Sequence, residues 1–256
     1  IIVADNQTIC QGGSVALNAS GASTYSWSPG TYLSATTGSS VTFSNGATTN
    51  YTVTGTDANG CINTDPITVT VNGNAPINAG LDVAICAGES TTLTATGGVT
   101  YDWNQSLGAG ATHTVSPATT TTYTVNGTDA NGCLGSDQVT VTVNPNPTPI
   151  IDGPTTYCAG SPAVLNTTQV FTTYNWSTGS VNATTTATSA DNPITVQVSN
   201  SFGCTGISPA FNVTENPVIT YNNSIPICQG GSAIIHGVTQ TTAGVYSETF
   251  TTPSGC

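Results

Sequence analysis

Lysine and arginine are absent from the 256 residues, while nine Asp and three Glu leave a formal charge of −12. Phosphate contacts need cationic side chains to release counterions, so nucleic-acid binding is excluded. Attraction to an anionic membrane surface fails for the same reason. No Lys–carboxylate or Arg–carboxylate bridge can form, Lys–Asn isopeptide staples are impossible, and trypsin-like proteases find no residue to cut after. Drift in a repetitive surface sequence and selection for protease resistance both remain open as reasons. Only 5% of residues are charged, so solubility rests on Thr, Ser, Asn and Gly. No apolar run is long enough to span a bilayer, so no membrane insertion is expected of this segment. No basic-plus-apolar signal segment opens the chain. Nor does helical periodicity persist over a dozen residues. The expectation is an all-β internal piece of a longer exported polypeptide.

What is present is a pattern repeated four times. Cys10, Cys86, Cys158 and Cys228 each open a copy with Cys-x-Gly, at intervals of 76, 72 and 70 residues. Cys61, Cys133, Cys204 and Cys256 each close one with Gly-Cys. A period of this size signals an array of similar modules. Breaks at Asn72-Gly73-Asn74, at Asn144 through Pro149 and near Asn216-Pro217 divide it into 1–72, 73–144, 145–216 and a partial copy, 217–256.

Within a copy the period is two. Thr91, Leu93 and Ala95 share one face while Thr92 and Thr94 take the other, which marks a half-buried strand. Tyr25-Ser26-Trp27, Tyr101-Asp102-Trp103 and Tyr174-Asn175-Trp176 place one Trp at 17, 17 and 18 residues after the opening Cys. Trp27, Trp103 and Trp176 are therefore read as core anchors on a central strand. Tyr51, Tyr123, Ile194 and Tyr246 stand ten residues before the closing Cys. Asn-Gly at the corner reads as a tight turn in which both residues accept positive φ, followed by Ile67-Val69-Val71, Val139-Val141-Val143 or, weakly, Phe211 and Val213. About seven short strands around one Trp describe an immunoglobulin-like antiparallel β-sandwich. Pro-rich joints should set the sandwiches in line as an extended rod, ~40 Å per module and roughly 150 Å in all.

These motifs carry a resemblance. Cys-x-Gly-x-Ser, Tyr-x-Trp and Tyr-Thr-Val-x-Gly-Thr-Asp-Ala-Asn-Gly-Cys are similar to the PKD-like and Ig-like repeats of very large secreted Bacteroidota proteins. The third copy departs at Ser199 through Gly203, and the fourth has no Trp. The resemblance implies export by the type nine pathway and a place on the cell surface, as in gliding-motility adhesins.

Two cysteines per module without metal spacing indicate disulfides and an oxidising compartment. Two pairings are open. One closes each module on itself, for example Cys86 with Cys133. The other stitches neighbours, Cys10 to Cys133, Cys86 to Cys204 and Cys158 to Cys256, with Cys61 and Cys228 bonding beyond the segment. Alternating strands favour stitching, because the two corners of one module lie ~20 Å apart and a disulfide needs Cα atoms within about 7 Å. A rearranged first strand would restore the simple scheme.

Other candidate chemistry is thin. His113 and His236 stand in different modules and read as surface residues, so no metal is expected. Asp57 and Asp129 at the corners lack the companions calcium requires and read as turn stabilisers. Asp102 and Asp137 are isolated carboxylates, and no catalytic or cofactor motif appears. Asn-x-Ser/Thr sites such as Asn18, Asn50, Asn104 and Asn126 are what chance gives in a chain this rich in Asn, Ser and Thr. The expected function is non-enzymatic: a segment of a long extracellular stalk or filament, with neighbouring repeats as partners. Uncharged Thr/Val edges also offer lateral self-association. The alternative is a polysaccharide-binding accessory module, which would need an exposed aromatic platform.

Overall fold

The computed structural model describes residues 2–3 and 5–217, and beyond them the segments 219–223, 233–235, 238–241 and 246–250. Cys228, His236 and Cys256, with the side chain of Tyr246, lie outside the described residues. The chain divides into two compact units, Ile1–Val143 and Asn144–Cys256.

The first unit opens with β1 (Ile2–Val3), β2 (Gln7–Cys10), β3 (Ser14–Ser20), β4 (Thr24–Ser28), β5 (Ser40–Ser44), β6 (Thr49–Thr56) and β7 (Ile62–Asn72). They form two sheets, β1-β3-β5 and β2-β7-β6-β4. Alternation puts Leu17, Ala19, Val41 and Phe43 of one sheet against Trp27, Tyr51, Val53, Ile67 and Val69 of the other. Thr and Ser take the solvent side. This is a β-sandwich of immunoglobulin type.

The first strand is split. β1 runs antiparallel to β3 in one sheet, and β2 runs parallel to β7 in the other. At the crossing, Asn6 Oδ1 accepts the Thr68 N–H at 2.9 Å, satisfying β7 just before its pairing with β2 begins. Pro66 sits two residues further back, where β7 is hydrogen-bonded only to β6 and a missing N–H costs no ladder bond. The parallel pairing sets Cys10 opposite Asn72, at the far end of β7 from Cys61.

The second module follows with β8 (Val83–Cys86), β9 (Thr91–Thr94), β10 (Thr100–Trp103), β11 (Gly108–Ala109), β12 (Thr112–Val115), β13 (Thr121–Thr128) and β14 (Leu134–Asn144). Their order, β11-β10-β13-β14-β8 beside β12-β9, preserves the plan. Asp82 Oδ1 accepts the Thr140 N–H at 2.7 Å, taking the role of Asn6. A separate cluster forms its core, with Leu93, Trp103, Tyr123, Val125, Val139 and Val141 all buried. Gly135 has a packing reason: a Cβ there would strike the Ala75 carbonyl.

In the second unit, β15 (Ile151–Asp152), β16 (Thr156–Cys158), β17 (Ala163–Thr167), β18 (Thr173–Trp176), β19 (Thr184–Ala187), β20 (Val196–Ser199), β21 (Thr205–Ile207) and β22 (Thr214–Asn216) repeat the design. β15 again pairs antiparallel with β17, and β16 parallel with β22, setting Cys158 opposite Asn216. The last strand is broken here. Pro209 lies between β21 and β22, and the gap is bridged by Ile194 with Phe211 and by the Ser208 hydroxyl, which accepts the Val196 N–H at 3.0 Å. The weak Phe211/Val213 pattern reflects that break. A 3₁₀ turn, Ser189–Asp191, interrupts the strands. Beyond it, β23 (Ile219–Asn223) pairs antiparallel with β26 (Tyr246–Phe250), and β24 (Ala233–Ile235) with β25 (Val238–Gln240).

Candidate functional site

The corner that closes each of the three described modules is a hydrogen-bonded clasp. Asp57 Oδ1 accepts the N–H groups of Asn59 and Cys61 at 2.8 and 2.9 Å. Asp129 Oδ1 does the same for Asn131 and Cys133 at the same two distances. In the third module Asn200 Oδ1 takes the place of the carboxylate, accepting from Phe202 and Cys204 at 3.0 and 3.1 Å. An amide does this work as well as a carboxylate, so the corner needs an acceptor rather than a charge. The turn differs from the sequence expectation in one respect. Only the glycine of each corner has positive φ: Gly60 at 85°, Gly132 at 78° and Gly203 at 82°. The residue before it keeps negative φ, which is why Phe202 is tolerated where the first two copies have Asn.

Backbone donors, that of Cys133 foremost, hold the Asp129 carboxyl below the ordinary value of 3.8. The N–H groups of Ala79 and Gln138 do the same for Asp137. A carboxyl lowered by folding stabilises the fold above about pH 4 and loses that contribution as pH falls through its folded value. Acid is therefore expected to weaken the second module below pH ~4. Asp129→Asn should keep the clasp and lose part of that acid dependence, whereas Asp129→Ala should lower the melting midpoint even at pH 7. Thermal melts at pH 3 and pH 7 check both.

The clasp presents a cysteine. Cys10 and Cys133 are joined, with their Cα atoms 5.4 Å apart and 123 residues between them in sequence. The bond runs from the end of β2 in the first module to the corner of the second. Cys133 is thereby unavailable to Cys86, and the within-module bridge of that pair is not made. The reason is dimensional. β7 runs for 11 residues between the two cysteine corners of its module, about 35 Å at strand rise, longer than the ~20 Å inferred from average strands. The split first strand leaves that separation intact, because β2 lies parallel to β7 and ends where β7 ends. Cys86, Cys158 and Cys204 are also disulfide-bonded. Cys61 is free and exposed.

The repeated Tyr-x-Trp aromatics are engaged inside each described module, whereas Tyr32 and Phe202 are exposed. Trp27, Trp103 and Trp176 are buried, and each indole N–H reaches a carbonyl: Gly38 at 2.9 Å, Gly110 at 3.1 Å and Asn182 at 2.9 Å. The tyrosine two residues earlier has a role the sequence reading missed. Its hydroxyl accepts the N–H three residues back, from Ala22 to Tyr25, Gly98 to Tyr101 and Phe171 to Tyr174. In the first two modules it also donates to that residue's carbonyl. Tyr-x-Trp is thus a loop clamp beside a core plug. Tyr51 and Tyr123 are buried. Tyr32, one of the exposed aromatics, rests edge-on against Phe43.

His113 is a correction to the surface reading. It stands opposite Leu93, at the place Val41 holds opposite Leu17 in the first module, and meets the edge of Trp103. Its Nε2 is buried and accepts or donates no hydrogen bond. Among the described residues no group of three or more His, Cys, Asp or Glu is placed to hold a metal. A groove of about 500 Å³ is lined by Asn74, Ala75, Asn126, Leu134, Gly135 and Ser136 and brings no acid–base pair together. Asp102 is exposed on β10, and Asp137 is engaged with the Ala79 N–H at 2.8 Å.

Residues 73–147 match the family described as Ig-like domain CHU_C associated. That Ig-like match covers the second module with its clasp, Trp103 and Cys133. No curated protein matches the chain. Similar solved structures include the I-band fragment I67-I69 from titin, at 14% identity over 82% of this chain and 95% of that one, with a TM-score of 0.39. The N-terminal eight Ig domains of Down Syndrome Cell Adhesion Molecule match at 14% over 98% of this chain and 40% of that one, TM-score 0.38. Fibronectin(III)-like modules of Clostridium thermocellum CbhA match at 13% over 56% and 95%, TM-score 0.30.

Proposed function

We propose that the chain is a non-enzymatic segment of a long extracellular stalk or filament, a cell-surface adhesin of gliding or attachment. Its work is to carry tension and hold a distal binding end away from the cell. The observation that carries this reading is the Cys10–Cys133 bond, which fastens one Ig-like module to the next rather than closing either on itself. A crosslink between neighbours resists their separation under tension and closes a long loop that spans both modules. The Ig-like match at residues 73–147 supports the Bacteroidota-type surface array as its setting. The internal use of Tyr25, Tyr101, Tyr174 and the three Trp leaves little aromatic surface for polysaccharide, which counts against the accessory-module reading.

Electron microscopy of the native particle tests the proposal. Thin threads with an axial repeat near one module's length are expected, and compact globules would refute it.

A further inference from the structure

The corner bearing Cys61 is a copy of the corner bearing Cys133. Asp57 N–H donates to the Cys61 carbonyl at 3.0 Å and Gly60 N–H to the Asp57 carbonyl at 3.1 Å, and the Asp129 corner repeats both distances. The strands that carry the corners also match: β6 and β13 have 8 residues each, β7 and β14 have 11 each. The residue that follows is outward and apolar in both, Ile62 at 69% exposure and Leu134 at 70%. What differs is the cysteine itself. Cys133 is fully buried and bonded to Cys10, and Cys204 at the third corner is also buried and disulfide-bonded. Cys61 alone among these three is an exposed thiol.

We propose that Cys61 is the receiving half of a further inter-module disulfide, and that its partner is an Ig-like module placed upstream in the same polypeptide. That module would present a Cys-x-Gly cysteine at the end of a strand paired as β2 is with β7. The partner's direction follows from the bond already made, since Cys133 takes its cysteine from the module that precedes it. Among the described residues a second copy of this chain offers no free Cys-x-Gly cysteine, because Cys10, Cys86 and Cys158 are all disulfide-bonded. Formation is an oxidation: the two thiols lose two protons and two electrons to an external disulfide, which is reduced to two thiols as the S–S bond forms. The inference deepens the stalk reading and rests on it for the presence of further modules.

The test extends the full chain with a second copy of residues 1–76 placed ahead of Ile1, its own Cys61 replaced by Ser so that one Cys61 remains, reproducing the 76-residue spacing of Cys10 and Cys86. Without the extension, maleimide should label Cys61 before reduction and leave Cys10 and Cys133 unlabelled. With it, labelling at Cys61 should disappear, and non-reducing chymotryptic mapping should recover Cys61 linked to the added copy's first cysteine. Cys61→Ser in the extended chain should free that added cysteine for labelling. A Cys61 that still labels beside a folded added copy, or a Cys61–Cys61 bond between chains, would overturn the proposal while leaving thread-like particles in microscopy unaffected. If the added copy does not fold, mapping the protein from its producing cells decides. A Cys61 peptide bonded to a Cys-x-Gly peptide is expected there, and a free thiol overturns the inference.

Discussion

Pulled between its N-terminus and Asn144, the oxidised chain should yield roughly 400 Å less extension than the same chain after reduction. The bond between Cys10 and Cys133 short-circuits a stretch of 123 residues, worth up to about 440 Å at full extension. Tension enters through β2, crosses the sulfurs and leaves through β14, so neither sandwich can unravel past its crosslink. Cys10→Ser should behave as the reduced chain without any reductant. The equilibrium effect is also large. A loop of this length stabilises the folded state by about 4 to 5 kcal/mol in the chain-entropy model, so chemical denaturation should shift by a comparable amount. Single-molecule force spectroscopy gives the decisive reading, and equal contour lengths in the two states would show that the modules are not fastened in solution.

Trp103→Ala should cost about 3–5 kcal/mol, the range for removing a large aromatic from a core that cannot close over the gap. Trp103 is 3% exposed and packs in the cluster that also contains Leu93, Tyr123, Val125 and Val139. The loss is a large part of what a module of this size has, since whole domains are stable by only about 5–15 kcal/mol. Its melting midpoint should fall by on the order of 20 °C. Trp103→Phe separates the two contributions of the indole. It keeps most of the apolar volume but leaves the Gly110 carbonyl without its donor, and should cost about 1–3 kcal/mol. Calorimetry on both variants checks the order, and an Ala variant melting within a degree of the parent would remove Trp103 from its anchoring role.

The parts of the fold that could be read from the residues are those written locally. A constant 17-residue step from Cys to Trp and a period-two alternation such as Thr91-Leu93-Ala95 need only neighbouring positions to be recognised. Strand parity argued for the stitched cysteine pairing but left it open, because a rearranged first strand would have restored the within-module bridge, and β2 in fact ends beside the end of β7 remote from Cys61. The split of the first strand was hidden. Ile2–Val3 and Gln7–Cys10 are too short to show a pattern, and their partners, β3 and β7, lie in different sheets. The tyrosine clamp was hidden as well, since a hydroxyl reaching three residues back leaves no periodic trace. His113 was legible in principle. It shares parity with the buried Val115 between the exposed Thr112 and Thr114, and its polar type masked the position.

The parallel course of β2 along β7 has an outcome for growth. It sends the two sulfurs of a module to unlike faces, one that gives and one that receives, so the contact they make is heterologous rather than two-fold. Such a contact never closes on a symmetric pair. Units joined this way add in one direction without a built-in stop, and length is left to whatever encodes the number of repeats.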